Sequence, residues 1–297
     1  MGHIRWSNFC HSYLAQKRLD EAETQLIQEK KDLVFIHGED HIITGLSREM
    51  LAPIYEIQGR WEEAEKLLVQ VMETSKTKLG ADHPDTLTSM ANLASTYRNQ
   101  GRWEEAEKLF VQVMETSKTK LGADHPSTLT SMANLASTLW NQGRWEEAEK
   151  LFVQVMETSK TKLGADHPDT LASMANLAST YRNQGRWEEA KKLEVQVMET
   201  SKTKLGADHP STLTSMANLA STYRNQGRWE EAEKLEVRVM ETSKTKLGAD
   251  HPSTLTSMAN HNLRLSCQTT LWRTALQSVA TSGAGCNNAF SILKRHV

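Results

Sequence analysis

No stretch of the 297 residues stays apolar for the roughly 20 positions that a membrane-spanning helix requires. The opening MGHIRWSNFC lacks the apolar core of a secretory signal, and Trp6 stands where N-myristoylation needs Ser or Thr. Cys10, Cys267 and Cys286 form no CxxC pair and no even framework, which argues against a disulfide scaffold and for reduced thiols in the cytoplasm. A net charge of −2 offers no global attraction for nucleic acid or an anionic membrane. Aromatic residues make up only 6%. What is abundant instead is Leu, Ala, Glu, Lys and Met, residues that lose little freedom in a helix. Proline is scarce, and five of the six recur at one place: Pro84, Pro126, Pro168, Pro210 and Pro252.

That recurrence is part of a period. GRWEEA begins at Gly59, Gly101, Gly143, Gly185 and Gly227, and ADHP begins at Ala81, Ala123, Ala165, Ala207 and Ala249, always at steps of 42. Residues 86–127 and 128–169 differ only at Tyr97/Leu139, Arg98/Trp140 and Ser127/Asp169, the mark of tandem duplication. Weaker copies lie upstream, where KRLDEAE at Lys17 parallels GRWEEAE and GEDHIIT at Gly38 parallels GADHPDT.

Each period reads as two helices. Asp82 or His83 is placed to cap the first, and Pro84 suits its opening turn because the missing N–H would be unsatisfied there anyway. Leu87, Met90, Leu93, Ala94 and Tyr97 then form an apolar stripe at helical spacing. Gly101 ends this helix in the left-handed conformation, and Trp103, Ala106, Leu109, Phe110, Val113 and Met114 mark one face of a second that runs to Leu121. One helix pair cannot bury both stripes, so neighbours must stack.

These residues resemble the tetratricopeptide repeat. Met90, Leu93-Ala94, Tyr97, Gly101, Ala106 and Phe110 match that family's spacing at relative positions 4, 7–8, 11, 15, 20 and 24. The 42-residue length and LGADHPDT look like the variety in kinesin light chains, and more like the arrays in fungal nucleotide-binding receptor-like proteins. The resemblance implies an all-α fold, an α-solenoid of antiparallel helix pairs wound into a right-handed superhelix. The expected organisation is a degenerate repeat at 3–43 and a repeat at 44–85 whose first helix Pro53 should kink or weaken. Four near-identical units at 86–253 and a partial repeat with a divergent tail at 254–297 complete it. Glu194 and Glu236 stand where other copies carry Phe110 and Phe152, and are expected to reach solvent or loosen the local packing.

No catalytic, cofactor or metal constellation is legible. His83, His125, His167, His209 and His251 recur one repeat apart, too far for shared ligation, and read as turn residues. The adjacent glutamates of GRWEEA sit in a helix's first turn, where negative charge suits the dipole. The family's binding face supplies the functional expectation. First helices line a concave groove there, and relative position 6 carries Asn92, Asn134, Asn176 and Asn218, with Asn8 and Asn260 beyond and Met50 breaking the series. An amide both donates and accepts, so such a ladder would hold a peptide's main chain without reading its side chains. The alternative is that each Asn bonds a neighbouring helix or turn. Position 12 gives Arg98, Arg182 and Arg224, suited to a carboxylate, and Trp140, suited to an apolar anchor.

The expected function is therefore non-enzymatic: a cytoplasmic scaffold binding a protein or peptide, with no cofactor, within a larger receptor-like protein. A kinesin-light-chain-like cargo adaptor and the accessory array of a separate enzyme domain are the alternatives. Residues 261–297 hold four Arg or Lys but no Asp or Glu, and read either as a cap or as an artefact of the gene's reading. Uncapped ends would leave self-association open.

Overall fold

A computed structural model describes residues 19–249, 251 and 253–259; the expectations for residues 3–18 and 260–297 fall outside them. Among the described residues the period resolves into eleven helices. They are α1 (Leu19–His37), α2 (Ile42–Ile57), α3 (Trp61–Leu79), α4 (Pro84–Asn99), α5 (Trp103–Leu121) and α6 (Pro126–Asn141). There follow α7 (Trp145–Leu163), α8 (Pro168–Asn183), α9 (Trp187–Leu205), α10 (Pro210–Asn225) and α11 (Trp229–Leu247), and residues 253–259 are helical too. Consecutive helices pair antiparallel, and no strand occurs among the described residues. The even-numbered helices are the first of each pair.

The turn chemistry explains the strict boundaries. His83 is the N-cap of α4 in extended backbone, and its Nδ1 accepts the Asp85 N–H at 3.2 Å. His125, His167 and His209 cap α6, α8 and α10 in the same way, so the repeated histidine has a structural task in each copy. The N-terminal end of each first helix is also tied to the helix before it. Thr86, fully buried, donates its hydroxyl to the Gly80 carbonyl at 2.8 Å, as Thr128 does to Gly122 and Thr212 to Gly206. At the other end Gly101 has φ +78, which lets the Arg102 N–H reach back to the Tyr97 carbonyl at 2.9 Å. Pro53 lies inside α2 without interrupting it. Its missing N–H still leaves the Glu49 carbonyl without the usual intrahelical donor.

The chain divides into two compact units, Met1–Thr158 and Ser159–Val297. In the first, the core is shared between successive pairs: Leu26 of α1 packs with Leu51 and Ile54 of α2, and Ala52 of α2 with Leu68 of α3 and Leu93 of α4. Leu87 and Met90 of α4 meet Val113 of α5, and Phe110 is fully buried. Burying one such side chain contributes roughly 2–3 kcal/mol. In the second unit Met198 of α9, Leu213, Met216 and Leu219 of α10, and Val239 of α11 form the equivalent cluster.

Polar clasps close the junctions in the first unit. Arg102 donates to Glu65 of the preceding pair at 2.8 Å, to Glu105 at 3.1 Å and to Gln100 at 3.2 Å, with its guanidinium 4.1 Å from the Tyr97 ring. Arg60 repeats the clasp with Glu23, Glu63, Gln58 and Tyr55, and Arg144 with Glu107, Glu147 and Gln142. The second unit differs at one junction. Lys191 stands where Glu65 and Glu107 stand in other copies and pairs with Glu188 at 2.5 Å, while Arg228 pairs with Glu231 at 2.8 Å. The Gln226 Oε1 is there buried with no hydrogen-bond partner among the described residues.

Candidate binding face

Each of the first helices α4, α6, α8 and α10 carries its own set of the asparagine, arginine and tryptophan residues singled out above, Asn8 and Asn260 lying outside the described residues, and the structure separates the sets by what they already touch. Asn92 is engaged: it hydrogen-bonds the Glu49 carboxyl of α2. The side chains of Asn134, Asn176 and Asn218 form no hydrogen bond with a described residue, and all three are at least partly exposed. Asn134 and Asn218 use their backbone carbonyls to receive Arg98 at 3.4 Å and Arg182 at 3.3 Å from the preceding first helix. One position therefore supplies both a carbonyl to the neighbouring arginine and an amide to the surface.

Position 12 faces position 24 of its own pair. Arg98 lies over the Phe110 ring at 5.5 Å. Arg182 instead meets Glu194 at 3.0 Å, and Arg224 meets Glu236 at 3.3 Å. The expectation that these glutamates reach solvent is overturned, because Glu194 is 3% and Glu236 6% exposed. The reason is the arginine above each, which brings an opposite charge to a site otherwise built for phenylalanine. Burial nonetheless pushes the Glu194 carboxyl up, against the pull of Thr222 and Arg182. Arg98 has a different environment: no carboxylate pairs with it among the described residues, and burial pushes its guanidinium down from its ordinary value. Trp140 is half-buried, with its indole N–H lacking a partner among the described residues.

Two acids on α2 also lie on this helix face and were not among the residues expected from the motif. Glu49 replaces the alanine of other copies (Ala91, Ala133) and Glu56 replaces Arg98 or Trp140. Desolvation, Asp85 nearby and, in the other direction, the Asn92 bond leave the Glu49 carboxyl pushed up to about 7. Glu56 receives the Thr96 hydroxyl at 2.5 Å. The signal that could have found them is the one used for the asparagines, alignment of α2 with its copies. Arg48, 2% exposed, was also missed; it donates to the Glu39 carbonyl at 2.9 Å and pairs with the Glu39 carboxylate. Elsewhere His37 and His41 stack at 4.8 Å beside Glu39 and Lys78. No group of three or more metal-ligating side chains forms among the described residues, and no helix there is long and apolar enough to cross a membrane.

The repeat, its caps and its shared core define a class, and comparison with known families agrees. The chain belongs to the tetratricopeptide repeat family, which matches residues 48–118, 89–160, 131–203 and 212–253. Among solved structures it is similar to the nearly identical tetratricopeptide-like repeats of a putative kinesin light chain from Podospora anserina. That likeness has 34% identity and a TM-score of 0.60, over 70% of this chain and 99% of that one. It is also similar in fold to BtubC from P. vanneervenii, with 17% identity and a TM-score of 0.62 over 80% and 94%. The third likeness is to the quorum sensor NprR of B. thuringiensis, with 17% identity and a TM-score of 0.61 over 83% and 66% in its apo form. NprR is also solved with its cognate peptide NprX. No curated protein matches the chain.

Proposed function

We propose that this chain is a non-enzymatic cytoplasmic scaffold that binds a peptide or protein partner on the face of its first helices. The observation that carries the reading is that the amides of Asn134 in the first unit and of Asn176 and Asn218 in the second recur at one register of the repeat and bond no described residue. Each can donate to and accept from a partner's main chain at no cost in broken internal bonds. Arg98 supplies a positive charge with no carboxylate partner among the described residues, and Trp140 a half-buried aromatic ring whose apolar edge can anchor a side chain. Arg182 and Arg224 are held by Glu194 and Glu236, so a ligand carboxylate would have to compete for them. The peptide held by NprR is a precedent for this use of the fold.

In this reading the array is the repeat region of a larger nucleotide-binding receptor-like protein, as the GADHPDT-type repeat resembles. A cargo adaptor is the second reading, favoured by the likeness to the P. anserina putative kinesin light chain. Genomic sequence flanking the coding region separates the two: a phosphate-binding loop supports the first, and a heptad coiled coil the second. For binding itself, the triple variant Asn134→Ala, Asn176→Ala, Asn218→Ala should keep its helical circular dichroism and melting temperature. Its yield of co-purifying partner in a pull-down should fall several-fold, and an unchanged yield removes the amide clamp.

A further inference from the structure

The first helix of the second repeat, α2, differs from its copies on one face. Ile43, Leu46, Met50, Pro53 and Ile57 occupy the places held in α4 by Asp85, Thr88, Asn92, Ser95 and Asn99, and in α6 by Ser127, Thr130, Asn134, Ser137 and Asn141. At 3.6 residues per turn these five fall within an arc of about 80° and extend about 21 Å along the helix. Four of them are exposed, Ile43 at 41%, Leu46 at 52%, Ile57 at 51% and Pro53 as well, while Met50 at the middle of the line is partly buried against the core of Leu51 and Ile54. In α4, α6, α8 and α10 this line is polar save for the small Ala172 of α8, so the exposed aliphatic stripe of α2 is a local departure from its near-identical copies.

The edge of the stripe towards α4 is acidic. Glu49 and Glu56 lie there two turns apart, bonded by the neutral groups of Asn92 and Thr96, and neither has a cationic partner among the described residues. An apolar strip bordered by two uncompensated, partly buried carboxylates is complementary to one kind of surface. A neutral or acidic segment laid on it would desolvate both carboxylates with nothing to offset the loss. A second copy of the same face would set two pairs of carboxyls against each other with no cation between them, and an anionic lipid surface would offer none either.

We propose that α2 docks an amphipathic basic segment of a partner protein. Aliphatic side chains of that segment cover Leu46, Pro53 and Ile57, and a Lys or Arg on its edge meets Glu49 and Glu56. The proposal rests on the reading above that the first-helix face is the binding face, and it names the chemistry of what that face accepts in the first unit.

Three fluorescein-labelled 16-residue helical peptides test it by anisotropy at low salt. They share one leucine stripe and differ only in carrying Lys, Gln or Glu along one edge. The full chain should bind the Lys peptide at least ten-fold more tightly than the Glu peptide. E49Q/E56Q should erase most of that difference, and L46S/I57S should weaken binding of the Lys peptide at least ten-fold with an unchanged melting temperature. Equal affinity for the Lys and Glu peptides overturns the proposal, as does wild-type binding by L46S/I57S. A concentration-dependent dimer in sedimentation that L46S/I57S abolishes also overturns it, in favour of a second copy. Failure of the asparagine clamp alone would leave the Lys peptide bound normally, so the two readings fail separately.

Discussion

At the residue scale the most informative pair is position 12 with position 24. A phenylalanine under an arginine, as in Arg98 and Phe110, needs no countercharge, whereas Glu194 is buried and depends on Arg182. Removing one partner of a buried ion pair strands the other, which costs about 3–5 kcal/mol, while an apolar replacement of the charge is often neutral or stabilising. Arg182→Ala should therefore destabilise the chain by about 3 kcal/mol, and Glu194→Phe, which recreates the Arg98–Phe110 arrangement, should not destabilise it at all. Thermal or urea unfolding of the two variants checks this, and equal losses would mean that phenylalanine cannot replace the charge at this site. The pairing was within reach of the sequence, because the two positions lie 12 residues apart in each copy and both glutamates fall in copies that carry arginine at position 12, Arg182 and Arg224. Reading position 24 on its own made the glutamates look like surface residues; the charge that keeps them inside comes from the other helix of the hairpin.

At the element scale, periodicity and turn residues determined the helices closely. Proline at the first turn, the capping histidine and the left-handed glycine are all local, so the bounds of α4 and α5 could be read before any packing was known. The contacts between elements were less legible, since they join side chains roughly 35–43 residues apart and only a register fixes which ones meet. Glu49 with Asn92 is one example, and the Arg102 clasp with Glu65 another. The clasp makes a prediction where it is missing. Lys191→Glu should restore the carboxylate that Arg228 lacks at its junction and give the Gln226 Oε1 a donor once Arg228 swings towards it. Because these groups are partly exposed, the gain should be only about 0.5 kcal/mol, a rise of about 1–2 °C in melting temperature. A fall would show that the Lys191–Glu188 pair matters more than the clasp.

At the scale of the whole molecule the titrating groups fall into two sets of opposite sign. Glu105, Glu147, Glu189 and Glu231 are held below their ordinary range by arginine hydrogen bonds, so their contribution is present above the unfolded value and lost only as pH falls below it. Glu49 is raised from 4.5 to about 7, so its favourable, protonated state is complete below 4.5 and is lost as pH rises through about 7. Glu194 shifts in the same direction. Between pH 5 and 8 the first set stays charged while Glu49 loses its proton, and melting temperature should decline across that window. Glu49→Gln should flatten the decline and raise the melting temperature at pH 8; the same slope in the variant would exclude Glu49 as its source.

The clasps have a genetic consequence. Arg60, Arg102 and Arg144 each close a junction with the same Glu–Gln partners, and the units at 86–253 are near-identical over 42 residues. An unequal crossover between two such copies adds or removes a helix pair whole, and the new neighbours meet through side chains already shaped for each other. The number of pairs is thus free to drift between generations of the gene without a misfolded intermediate. α2, whose stripe and acids have no duplicate, is the part that such exchange cannot replace.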